Sequence, residues 1–166
     1  LLRKKINVDT DIGLFIETIF ILPVALILFY LISQKGLNDF SFLENWEEKY
    51  KYLIDLGKSL PPLDEAYKID KNLIYGCQAQ VWFYLIFKKN KLVIHGDSDA
   101  IITKGLVGLL VMLFSNCSAE EIVNSDKQIF KELGLNKHLS ITRANGLSEM
   151  LKKIHNFCLN YLKNQN

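Results

Sequence analysis

Residues 12–32 read IGLFIETIFILPVALILFYLI, an apolar run broken only by Glu17, Thr18 and Pro23. About twenty apolar residues are what a helix needs to cross a bilayer. A surface helix of a globular domain would instead show a polar face. Arg3, Lys4 and Lys5 precede the run and Lys35 follows it. A secretory signal has a shorter apolar core and a small-residue cleavage site, and no such site is visible. The leading positive charges favour a cytoplasmic N-terminus, while Lys35 blurs that orientation. The composition changes sharply near Gly36, so a boundary is expected within residues 33–40, SQKGLNDF. The chain is therefore read as two parts: a transmembrane-like segment, 1–35, and a domain of ordinary composition, 38–166.

The bulk numbers suit a globular domain: of 166 residues, 49% are hydrophobic and 23% charged. A net charge of +2 argues against a nucleic-acid binder, which would carry a clustered basic face. Three widely spaced cysteines fit neither a disulfide framework nor a zinc site, and they suit a reducing cytosol. Walker and dinucleotide glycine patterns are missing. No metal or organic cofactor is expected on this chain.

From Phe42 to Lys58, apolar residues recur at steps of three and four, the mark of an amphipathic helix. The prolines of SLPPLDEAYK end it. Asn72–Tyr75 is a short apolar stretch. Gln80–Lys88 alternates as a strand, Lys89-Asn90 is a turn, and Lys91–Gly96 is a second strand, which makes a hairpin. Asp97, Ser98 and Asp99 are expected to cap an apolar helix over Ala100–Phe114. Ser118 to Glu121 reads as a capping box. Helix is expected over 127–133 with Gly134 as its stop, then a loop, LNKHLSITR, then a last helix, Arg143–Lys163, capped by Thr142. The fold class is α+β, a small antiparallel sheet of about three strands wrapped by helices and preceded by one apolar helix.

Among the thiols, Cys158 falls on the apolar stripe of the last helix and reads as a small core residue. Cys117 sits at a helix end with no obvious charged partner. Cys77 follows Gly76, which permits sharp backbone geometry, and precedes a rigid strand. Such a thiol is held in place yet reachable, as a nucleophile or covalent carrier must be. A Cys-His hydrolase would need a spatial partner among His95, His138 and His155, and no Asn or Asp is placed by sequence to orient one. Without a C-x-x-C, a dithiol of the thioredoxin type is excluded.

Four blocks in order, WEEKYKYLIDLGKSLPPL, YGCQAQVWF, HGDSDAIITKGLVGLL and LGLNKHLSITRANGLSEML, resemble the SufE family, sulfur acceptors of iron-sulfur cluster assembly. The likeness runs from about Asp39 to Leu162. The family pattern is glycine, cysteine, glutamine, serine, any residue, valine, tryptophan; here Gly76, Cys77, Gln78, Val81 and Trp82 match and Ala79 replaces the serine. The resemblance implies that Cys77 accepts sulfane sulfur from a SufS-type cysteine desulfurase and hands it to a SufBCD-type scaffold. The pyridoxal phosphate of that chemistry would belong to the desulfurase. Such a chain is a persulfide carrier and desulfurase activator rather than an enzyme, and cytoplasmic. The resemblance also singles out Asp97, Ser98, Asp99 and Arg143. Asp99 is expected to fix the helix beside the Cys77 loop. Arg143, badly placed for the helix dipole, is expected to pair with a GDSD carboxylate or with the desulfurase. Trp82, Phe83 and Tyr75 are candidates to line an apolar shelter for the persulfide. The alternative is a non-catalytic adaptor or membrane-tethered module that kept the fold.

Residues 1–32 resemble one short stretch of RarD-like drug/metabolite transporters. One span cannot form a transport path. The segment is thus either a gene-fusion fragment or a single-span anchor that places the chain at a membrane through residues 12–32.

Overall fold

β-Branched and aromatic residues alternate along Val81–Lys88, strand β1, which pairs antiparallel with β2, Lys91–Ser98. Lys89 and Asn90 join them with φ of 50° and 59°, the paired positive angles of a tight hairpin turn whose twist matches its strands. The computed structural model describes residues 40, 43, 45–125 and 135–165. The chain divides into Leu1–Asn38 and Asp39–Asn166, and all the described residues fall in the second unit. The apolar run 12–32, Phe42 and the helix expected over 127–133 lie outside the described residues. Among the described residues, no helix is long and apolar enough to cross a membrane.

Among the described residues, five helices surround the hairpin. Helix α1 is Trp46–Ser59, with Asn45 Oδ1 accepting from the Glu48 amide at 2.9 Å. Helix α2, Ile101–Phe114, is buried along most of its length. Helix α3, Ala119–Val123, opens with the expected capping box of Ser118 and Glu121. Helix α4, Leu135–His138, is a single turn where a loop was expected. It is held by Tyr50, whose hydroxyl donates to the His138 carbonyl at 2.7 Å, and by Trp46 stacked on the His138 ring at 3.9 Å. Helix α5, Ile141–Lys163, starts two residues before the expected Arg143. Its cap is Ser140, which accepts from the Arg143 amide at 3.4 Å, so Thr142 lies inside the helix.

The α+β class and the small antiparallel sheet are as expected, but among the described residues the sheet has two strands. The third segment is reduced to a Leu73–Trp82 bridge, with the Ile74 amide donating to the Val81 carbonyl at 2.8 Å. Two 3₁₀ turns, Glu65–Tyr67 and Asp70–Asn72, occupy the approach, and Gly76, with φ of 88°, turns the chain away after the bridge. β2 in turn runs past Gly96, so Asp97 and Ser98 are strand residues opposite Trp82 and Val81. The expected GDSD cap does not form: Ala100 holds the cap position of α2 without a side-chain bond. Ser98 Oγ makes only a weak 3.3 Å contact with the Ala100 amide.

Leu53, Leu106, Leu109, Leu110, Val81, Phe83, Met150 and Ile154 form the core. At the far end of α5, Tyr161 stacks on Phe87 at 3.7 Å and its hydroxyl donates to Asn90 Oδ1 at 2.9 Å, which pins the hairpin tip.

α1 and α2 touch backbone to backbone. A Cβ on Gly105 would collide with the Leu53 carbonyl, and one on Gly57 would lie 2.9 Å from the Gly105 nitrogen. Gly105→Ala should therefore destabilise the protein by about 2 kcal/mol, because overpacking against a backbone outweighs the gain in helix propensity. Urea unfolding checks this; an unchanged or raised midpoint would refute the contact.

Candidate functional site

The loop after the Leu73–Trp82 bridge places Cys77 against the first turns of α5. A Cβ on Gly146 would lie 2.7 Å from Cys77 Sγ, so only glycine leaves room for the sulfur. Beside it opens a cavity of about 420 Å³ lined by Cys77, Gln78, Ala79, Asp99, Ala100, Thr103, Thr142, Arg143, Gly146 and Met150. The cavity thus lies between the thiol loop and the N-terminal turns of α2 and α5. The thiol is half-buried. Burial, and then the negative charge of Glu149, push it above the ordinary cysteine value. In the isolated chain it is accordingly a thiol at neutral pH rather than a thiolate.

Four of the expected residues meet here: Cys77, Gln78, Asp99 and Arg143. Gly76 precedes the thiol with a positive φ that glycine adopts without strain, as the expected sharp bend requires. Asp99 Oδ1 accepts from the Gln80 amide at 2.9 Å, which ties the start of α2 to the end of the thiol loop. That bond, rather than a helix cap, is how Asp99 holds the loop. Arg143 lines the cavity and makes no ion pair with a carboxylate among the described residues, so the expected pairing with a GDSD carboxylate is not formed.

Asp97 and Trp82 stand elsewhere. Asp97 Oδ1 takes Lys104 at 2.8 Å and Oδ2 takes Lys68 at 3.1 Å, with the Ser98 amide at 2.9 Å. Burial opposes its ionisation, but the bonds from Lys104, Lys68 and the Ser98 amide together hold its carboxyl below the usual range. Charged donors have therefore claimed the carboxylate that was expected to cap α2. Lys68 also lies over the Trp82 ring at 5.7 Å.

The expected aromatic shelter is not what lines the thiol. Tyr75 is 68% exposed and Phe83 is a core residue. Both line a separate groove bounded by Tyr67, Ile69, Glu149, Lys153 and Phe157. The strand's alternation turns Trp82 and Phe83 to opposite faces, and the Gly76 bend separates Tyr75 from the sulfur. Met150, Ala79 and Ala100 supply the apolar wall instead.

None of the three histidines lines the cavity, which leaves a Cys-His hydrolase without its base. Cys158 is buried, with its thiol pushed up to about 11 by burial and by Cys117. Cys117 is half-buried and donates to the Leu113 carbonyl. Gly146, Thr103 and Met150 escaped the sequence reading. The signal for Gly146 was available: a glycine inside a helix costs about 1 kcal/mol and implies a close approach.

Fold and site together describe a small α+β domain with a half-sheltered thiol, Cys77, at the wall of a cavity. Residues 34–158 match the SufE family, the Fe-S metabolism associated domain. A SufE-like protein of Rhizobium meliloti, itself uncharacterised, is 41% identical over 123 residues, which is 71% of this chain and 88% of that one. The cysteine desulfuration protein SufE of Wigglesworthia glossinidia brevipalpis is 41% identical over 120 residues, 71% of this chain and 83% of its own. The chain belongs to the SufE family, and its role lies in iron-sulfur metabolism. A hypothetical protein of Thermus thermophilus, solved in solution, shares the fold with a TM-score of 0.68 at 18% identity, over 80% of this chain and 97% of that one.

Asp97→Ala should lower stability at pH 7 by about 2 kcal/mol, through loss of charge-assisted bonds. Because the folded carboxyl titrates below its ordinary 3.8, this contribution is present above that value and disappears as pH falls through the lower folded one. Urea unfolding of both proteins at pH 7 and at pH 3 should show the gap narrowing in acid; an equal gap at both would rule out the ion pairs.

Proposed function

We propose that this chain is the sulfur-accepting partner of a cysteine desulfurase, with Cys77 as the acceptor. The Cys77 thiolate attacks the outer sulfur of the desulfurase persulfide. A new S–S bond forms on Cys77, the donor's S–S bond breaks, and the donor cysteine leaves as its thiolate. No oxidant is consumed. The carrier then passes the sulfur to an iron-sulfur scaffold of the SufBCD type by the same exchange. The chain carries sulfur without turning substrate over; the pyridoxal chemistry stays on the desulfurase. The observation that carries this reading is the contact of Cys77 with Gly146 at the wall of a cavity large enough to take a further sulfur atom.

The rim of the cavity supports docking of a protein donor. Ile101 and Ile141, 68% and 81% exposed, are the first residues of α2 and α5, next to lining residues Ala100 and Thr142. Large apolar side chains so exposed around a reactive group suit a protein interface, and the uncommitted Arg143 offers it a positive charge. Gln78 and Gly76 shape the loop that presents the sulfur. Residues 38–166 carry this function as one domain in the proposal, and residues 12–32 serve at most as a membrane tether.

Full-length protein should stimulate sulfide release by a SufS-type desulfurase and gain one sulfur atom on Cys77 by mass spectrometry. Cys77→Ser should abolish both. Stimulation that survives in Cys77→Ser would instead identify a non-catalytic adaptor. Ile141→Asp should reduce stimulation about tenfold, the cost of one interface anchor, with the melting temperature unchanged; full stimulation would exclude that rim. The 38–166 fragment should match the full chain, and a large loss would place function in residues 1–35.

A further inference from the structure

The hairpin has one covered edge and one open edge. On the β2 side, the Leu92 amide donates to the Cys117 carbonyl at 2.8 Å, and the Leu92 carbonyl accepts from the Asn116 amide at 2.8 Å. Opposed residues of an antiparallel ladder either bond each other or both point outward. Leu92 points outward, so Phe87 opposite it does too, and so does Leu85 two residues back. This outward row of β1 begins at Val81, whose carbonyl takes the Ile74 amide. The chain ahead of that bridge coils into the 3₁₀ turn Asp70–Asn72 instead of continuing along β1. Among the described residues, no hydrogen bond from that side reaches the backbone of Leu85 or Phe87.

Where a third strand would run there is a groove of about 780 Å³, and Leu85 lines it. Its two walls differ. Tyr67 stacks on Tyr84 at 4.1 Å, which puts the loop wall on one face of the sheet. Phe157 stacks on Phe87 at 5.6 Å, which puts α5 on the other. The loop side is apolar: Tyr67, Ile69 and Tyr75 are 38%, 48% and 68% exposed. The other exposed large apolar residues among those described, Ile101 and Ile141, stand at the cavity rim. The α5 side is basic. Lys152 and Lys153 outnumber Glu149, and Lys71 adds a third amine with no carboxylate on it among the described residues.

We propose that this groove docks an extended segment of a partner protein, with acidic and large apolar residues in alternation, which adds to the open edge of β1 as a third strand. Unpaired amides and carbonyls along an edge are a template for such addition. Alternation in the added strand sends its side chains in turn to the loop wall and to α5, so apolar residues meet Tyr67 and Ile69 while carboxylates meet the lysines. A second copy of this chain fits less well, because its own β1, VWFYLIFK, brings no acidic side chain. A partner held here does not fill the cavity, since the two openings share no lining residue. Gly76 alone separates Tyr75, in the groove, from Cys77, in the cavity. The site thus gives a partner a hold beside the thiol loop without covering the sulfur.

The test uses the full chain and, as probe, a short fluorescein-labelled peptide of alternating glutamate and leucine. In the free chain, the Leu85 and Phe87 amides should exchange hydrogen with solvent about tenfold faster than those of Tyr84 and Ile86, which bond β2. The peptide should bind and slow exchange at Leu85 by about tenfold. Ile69→Asp should weaken binding about tenfold and Lys71→Glu about fivefold, with melting temperatures unchanged. The same peptide N-methylated along its backbone, or with lysine in place of glutamate, should not bind. Failure of the glutamate-leucine peptide to bind, binding that leaves exchange at Leu85 unchanged, or equal binding by the N-methylated peptide overturns the proposal. Protection of Leu85 that grows with protein concentration in the absence of peptide overturns it in favour of a second copy. None of these readouts depends on Cys77, so they stand apart from the sulfur-acceptor reading.

Discussion

The contact on which the rest of the domain depends is the close approach of α1 to α2. Gly57 and Gly105 remove the side chains that would hold the two helices apart, so backbone meets backbone. That contact sets the depth at which α2 lies, and α2 organises the site. Its first turn supplies Thr103 to the cavity wall, the residue before it supplies Ala100, and Lys104 reaches back to Asp97. A shift of α2 would move all three. Helix packing without an intervening side-chain layer tolerates little adjustment, because there is no flexible chain end to give way.

Polar bonds then fix what packing has placed. Asp97, at the end of β2, gathers Lys104 from α2 and Lys68 from the loop ahead of the thiol. Asp99 bonds the amide of Gln80 across the mouth of the same loop. Two carboxylates two residues apart thus clamp opposite ends of the segment that carries Cys77. Their charges are used for geometry, while Arg143 lines the cavity without such a commitment.

Much of this architecture was legible in the sequence. Periodicity located α1, α2 and α5, alternation located both strands, and Lys89-Asn90 marked the turn. What failed shares a physical cause. Whether Asp97 caps a helix or joins a strand depends on lysines at 68 and 104 competing for it, and no local pattern reveals that competition. The third strand was lost to two 3₁₀ turns and a glycine bend. At the site, the thiol, Gln78, Asp99 and Arg143 could be named from the motif blocks. The meeting of Cys77 with Gly146, far apart in the chain, could not. The aromatic shelter was misplaced because neighbours in sequence on a strand face opposite ways.

Gly146 leaves the sulfur no space on the helix side, and the cavity that Cys77 lines opens beside it. If Cys77 carries sulfur as proposed, cargo that enters through this cavity would leave through it, and the protein that delivers sulfur and the protein that collects it would compete for the same rim. Transfer would then run as an exchange by turns, with the collector waiting for the donor to leave. The residence time of the donor on that rim, rather than the chemistry of the S–S exchange, would set the pace of sulfur flow through the carrier.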